Sequence, residues 1–75
     1  MKELNEQWTA DIVGRLHRIN TTQVKLAKEC GYTAQYLSMV LHGKKKFESA
    51  YAKRYTRMKI TRAMERLEHE VFDNR

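Results

Sequence analysis

The chain has no proline, only three glycines and a single cysteine among its 75 residues. Without proline, no position is barred from helix by a missing N–H. One thiol cannot form an internal disulfide, and its solitary use fits a reducing cytoplasm. No apolar run approaches the roughly 20 residues that a membrane-spanning helix needs. The polar, acidic opening (Met1 to Trp8) has no apolar stretch of the secretory-signal kind. Chemistry-bearing patterns are also missing. His17, His42 and His69 stand at no metal-ligand spacing, and Cys30 has no second thiol or neighbouring histidine. There is no glycine-rich phosphate loop and no serine–histidine–acid arrangement. The expectation is a soluble cytoplasmic protein that is not an enzyme, with no catalytic residue, no metal, no cofactor and no membrane partner.

What remains is helix-forming and charged. Hydrophobic residues make up 41% of the chain and charged residues 32%, enough of each for one small folded domain spanning 1–75. A chain this short buries only about 60% of its unfolded surface, so its core must be compact. The net charge of +6 is unevenly placed. Residues 1–22 balance, and 60–75 are slightly acidic. Between them Lys25, Lys28, Lys44, Lys45, Lys46, Lys53, Arg54, Arg57 and Lys59 face only Glu29 and Glu48. Such a middle suits a polyanion partner; a merely solvated face has the same composition.

Four helical segments can be read. The first, about Asn5 to Arg18, repeats Trp8, Ile12, Val13, Leu16 and Ile19 at helical spacing, with Thr9 and Asp11 near its start. Asn20-Thr21-Thr22 interrupts it. Thr21 or Thr22 caps a second helix, Gln23 to Glu29, with Val24, Leu26 and Ala27 partly or fully inward and Gly31 beyond its end. Thr33 caps a third, about Ala34 to His42, closed by Gly43. The last runs from about Glu48 to Phe72, with Tyr51, Tyr55, Met58, Ala63, Met64, Leu67 and Val71 near one stripe. The expected fold is all-α, a small four- to five-helix domain with a long C-terminal helix.

Two short helices joined by a glycine turn have the layout of a helix-turn-helix, here about residues 22–43. The helices cross closely, which asks for a small residue such as Ala27. The turn asks for a positive φ, which Gly31 supplies. On the third helix Leu37, Val40 and Leu41 share one face, while Gln35, Ser38, Met39 and His42 share the other. The string from Thr22 to Lys45 resembles the DNA-binding unit of the Cro and lambda-repressor-like family. It has the threonine–glutamine start, the alanine, the glycine turn, the paired aliphatics and the closing glycine followed by basic residues.

The resemblance implies a sequence-specific duplex-DNA-binding regulator of phage or mobile-element type, a repressor in direction, acting as a homodimer. It implies that Thr33, Ala34, Gln35, Ser38 and Met39 face base edges. Gln35 suits bidentate pairing with adenine, and Ala34 a thymine methyl. Met39 offers only apolar contact, which fits weak or shape-based specificity there, or a protein partner. Thr22, Gln23, Tyr36, His42, Lys44, Lys45 and Lys46 are implied at phosphates. For Tyr36 packing against the last helix is equally open, for His42 simply ending its helix, and for the lysines a solvated loop. Met64, Leu67, Val71 and Phe72 are candidates for a symmetric dimer contact or, alternatively, for the chain's own core. The segment Phe47 to Tyr55 departs from the family's proline-bearing loop and fits either a loop or an early helix start. Two other classes remain open: a protein-binding inhibitor or adaptor on the same scaffold, and an architectural or excision factor.

Overall fold

The computed structural model describes residues 6–73, and they form four helices with no strand among them. α1 is Glu6–Arg18, α2 Gln23–Cys30, α3 Ala34–Leu41 and α4 Ala50–Asp73. The fold is therefore all-α with a long C-terminal helix, at the lower of the two expected helix counts.

Local chemistry sets the boundaries of the short helices. At the start of α2 the Thr22 hydroxyl accepts from the Lys25 N–H at 3.3 Å, and at the start of α3 the Thr33 hydroxyl accepts from the Tyr36 N–H at 3.0 Å. Each satisfies a first-turn amide that has no partner within the helix. Gly31 ends α2 at φ 82°, where the Tyr32 N–H reaches back to the Ala27 carbonyl at 2.9 Å. Gly43 follows α3 at φ 72°, and there the Lys44 N–H returns to the Met39 carbonyl at 2.9 Å. Asn20 does the same after α1 at φ 58°, a conformation its short polar side chain tolerates.

α2 packs between α3 and α4, and α1 packs on α3 and α4. Ile12, Leu26, Leu37, Ile60 and Met64 are fully enclosed at the centre. Each contributes about 1.5–3 kcal/mol by leaving water. No helix among the described residues is long and apolar enough to cross a membrane.

The long helix departs from expectation in two ways. It begins at Ala50 rather than Glu48, because the Ser49 hydroxyl caps it by accepting from the Ala52 N–H at 3.1 Å. The preceding loop is pinned by Phe47, which is buried in the core. The buried stripe is Thr56, Ile60, Ala63, Met64 and Leu67, whereas Tyr51, Tyr55 and Met58 lie exposed on the opposite side. The expected stripe had joined two faces: the step from Met58 to Ala63 breaks the three-and-four spacing that keeps residues on one side. Val24 is likewise exposed rather than inward.

Met64 and Leu67 need correction as dimer contacts. They are 0% and 3% exposed, part of the same core as Leu16 and Leu37, and so they cannot meet a second copy without opening the fold. Val71 packs partly against that core, and Phe72 is about half exposed.

Arg15 of α1 clamps Glu68 of α4 with one edge of its guanidinium, Nε and Nη2 donating to the two carboxylate oxygens at 2.8 and 2.6 Å. The Arg15 hydrogen bond holds the Glu68 carboxyl below its ordinary pKa, against an opposing push from burial. A second tie joins α4 to α2: Arg66 donates to the Glu29 carboxylate at 2.9 Å and to the Glu29 carbonyl at 3.1 Å.

Candidate nucleic-acid interface

α3 divides sharply into two faces. Leu37, Val40 and Leu41 face the core at 0%, 1% and 6% exposure. Thr33, Ala34, Gln35 and Met39 are exposed and Ser38 is half-buried. The five residues expected at base edges therefore lie together at one cap and along one side of a rigidly anchored helix. Of these Gln35 carries the longest polar side chain.

Two of the five have hydroxyls already engaged. Thr33 caps α3, so one lone pair of its hydroxyl is taken by the Tyr36 amide. The Ser38 hydroxyl lies 3.2 Å from His42 Nδ1, and that same nitrogen lies 2.7 Å from the Ser38 carbonyl. A carbonyl only accepts, so Nδ1 carries a proton and closes the end of α3. His42 therefore ends the helix with one ring nitrogen, and only Nε2 remains to meet anything else.

The residues expected at phosphates form two groups. At the start of α2, Thr22 and Gln23 sit beside first-turn amides of which only Lys25 is served by the cap. Those of Gln23 and Val24 stay at the positive end of the helix dipole. Beyond α3, the amides of Lys44 and Lys45 bond back to the Met39 carbonyl at 2.9 and 3.2 Å, fixing the basic loop to the end of α3. Lys44 and Lys46 are exposed. The Lys45 ammonium lies 5.9 Å from the Tyr36 ring centre and 5.6 Å from that of Phe47, held over two aromatic faces.

Tyr36 is half-buried, and its ring stands 4.8 Å from that of Tyr32, tilted by 53°. Tyr32 in turn has the Lys59 ammonium of α4 4.8 Å from its ring centre, and Lys59 lies 5.8 Å from the ring of Tyr55. Phe47, Lys45, Tyr36, Tyr32, Lys59 and Tyr55 thus form one continuous cation–aromatic row from the basic loop across the turn to α4. Burial pushes the Tyr32 phenol above its ordinary pKa, opposed by a hydrogen bond with Thr56 that fastens the turn to α4. Tyr32, Lys59 and Tyr55 were not among the sequence-derived candidates. Tyr32 is far in the chain from Tyr55 and Lys59, and only the net positive charge of the middle segment hinted at Lys59.

No group of three or more histidine, cysteine or acidic side chains able to hold a metal occurs among the described residues. Cys30 is buried at the end of α2, and burial raises its thiol pKa, the opposite of what a nucleophile needs. No family model matches the chain, and neither a curated protein nor a solved structure matches it.

Proposed function

We propose that this chain binds double-stranded DNA by laying the exposed face of α3 in the major groove. It acts as a cytoplasmic transcriptional regulator of the lambda-repressor-like kind, a repressor by occupancy of its site. The observation that carries this reading is the two-sided α3. Its aliphatic face is locked in the core, its other face offers Ala34, Gln35 and Met39, and a lysine loop is bonded to its end. A rigid helix with adaptable polar and apolar tips suits base edges, and fixed cations beside it suit the flanking phosphates. In this reading Gln35 is the principal base reader, with Thr22, Gln23, Lys44 and Lys46 on the backbone. Lys45 and Tyr36 support each other at the edge of the contact.

Titration against random duplex DNA at rising salt tests the reading, followed by selection of bound sites from a random pool. Binding should weaken steeply with salt and tighten by about a thousandfold or more on a selected site. Gln35→Ala should cost about 1–3 kcal/mol and relax preference at one base position. Absence of binding to any duplex at low salt would falsify the reading. The exposed apolar Met39 favours, as second reading, a protein partner on the same face. Salt-sensitive binding with no preferred site would instead point to an architectural factor.

A further inference from the structure

Three large apolar side chains stand exposed on the first half of α4: Tyr51 at 78%, Tyr55 at 52% and Met58 at 41%. Steps of four and three keep them on one side of the helix, away from the buried stripe through Ile60 and Met64. From Ala50 to Met64 the helix carries no acid. Its cations are divided between sides. Arg57 turns toward α1, with its guanidinium 5.7 Å from the Trp8 ring centre. Arg62 is exposed and pairs with no acid among the described residues.

An open groove of about 250 Å³ lies on this side, lined by Tyr55, Met58, Lys59, Arg62 and Arg66 and by no acid. Arg66 is already matched, because Glu29 holds it at 2.9 Å, so it closes the groove without adding net charge. Lys59 lies 4.8 and 5.8 Å from the ring centres of Tyr32 and Tyr55, which hold its ammonium in place without neutralising it. Glu65 lines the adjoining depression with Arg54 and Arg57, not this groove. The groove therefore offers two unmatched cations, Lys59 and Arg62, beside an aromatic ring.

That is the chemistry of a phosphate with its base. The groove is smaller than the roughly 300–1,000 Å³ that enclose a small molecule, so it suits one unit of a polymer. Tyr51 and Tyr55 are one turn apart, about 6 Å along the axis. Stacked bases in a duplex strand are only about 3.4 Å apart, and their faces are closed to a ring on a convex helix. A single strand can spread its bases and lay one on each tyrosine. An acidic peptide would use the cations and leave both rings bare.

We infer that the outer side of the first half of α4 binds single-stranded nucleic acid. Bases stack on Tyr51 and Tyr55, Lys59 and Arg62 hold a phosphate, and Met58 offers the sugar an apolar floor. The contacts are to phosphate and base face, so DNA and RNA strands bind alike. None of these residues belongs to the exposed face of α3, so this site and the duplex reading can each fail alone.

The test is fluorescence anisotropy of labelled oligothymidylate and oligouridylate, each of about 12 nucleotides, with the full chain at rising salt. Both should bind, and Tyr51→Ala and Tyr55→Ala should each raise the dissociation constant about tenfold. Tyr51→Phe keeps the ring and should keep the affinity. Arg62→Ala should flatten the logarithmic salt dependence by about 0.7, the share of one phosphate on a single strand. Gln35→Ala should leave oligonucleotide binding unchanged. All these side chains are exposed, and circular dichroism checks that helix content is kept. No binding of either oligonucleotide at low salt would overturn the inference, as would affinity unmoved by both tyrosine-to-alanine changes. Thymidine monophosphate binding as tightly as the oligomer would overturn it in favour of a free nucleotide. Polyglutamate displacing the strand as well as unlabelled oligonucleotide does would overturn it in favour of an acidic protein. A loss on Gln35→Ala equal to that on Tyr55→Ala would move the strand to α3 and overturn it too.

Discussion

The Arg15–Glu68 clamp offers the most direct check of how the four helices are held. Both oxygens of the carboxylate are engaged, at 2.6 and 2.8 Å, and the two side chains are only 19% and 20% exposed. An exposed pair is worth about 0–1 kcal/mol, and breaking a fully buried one costs about 3–5. A bidentate, charge-assisted pair at this intermediate burial should couple by about 1.5–3 kcal/mol. Asp11 does not replace Glu68, because it reaches Arg15 only at 3.8 Å and is itself mostly exposed. Glu68→Ala should therefore cost about 2–3 kcal/mol, lowering the melting temperature by roughly 10–20 °C in a domain of this size. The pH dependence has a definite sign. Glu68 is depressed below its ordinary value in the folded chain, so its contribution is complete above that ordinary value. It is lost as pH falls through the depressed folded value, while Arg15 stays charged throughout. Chemical denaturation of wild type, Arg15→Ala, Glu68→Ala and the double variant gives the coupling energy directly. A coupling below about 0.5 kcal/mol would refute the clamp as worked out here. So would a difference between wild type and Glu68→Ala that stays the same from neutral pH to strong acid.

Three further outcomes follow from the geometry. Gly31→Ala meets no steric clash, but it forces a Cβ into φ 82°, so it should destabilise by about 1–2 kcal/mol in a thermal melt. Ile60→Ala should cost about 2–5 kcal/mol, since Ile60 is fully enclosed; a loss near zero would mean that α4 packs on a different side. The buried thiol of Cys30 should react with a disulfide reagent far more slowly in the native chain than in denaturant. Native reactivity equal to that of free cysteine would contradict its burial.

The α2–turn–α3 unit was largely legible before any coordinates, because its signals are local. A cap acts across three residues, as Thr22 and Thr33 do. The positive φ at Gly31 and Gly43 lies at the residue that announces it. The inward and outward sides of α3 follow from helical period alone, and Leu37, Val40 and Gln35 stand where that period puts them. Val24 did not follow its pattern, since α2 is too short for periodicity to separate an edge position from an inward one.

α4 was legible as a helix but not in its orientation. Its sequence carries two stripes at helical spacing, one through Ile60, Met64 and Leu67 and one through Tyr51, Tyr55 and Met58. Both satisfy the period, and the second holds the larger aromatic side chains. What decides between them is which stripe fits against Leu16, Leu26 and Leu37, a matter of shape contributed by three other helices. The same holds for the row from Tyr36 through Tyr32 to Lys59 and for the clamp between Arg15 and Glu68, whose members stand 53 positions apart. Composition and local chemistry determined that this chain is helical, where its short helices begin and end, and which side of α3 faces out. Only tertiary packing decided what α4 buries and what it leaves exposed, because the free energy of burying a stripe depends on the surface it meets.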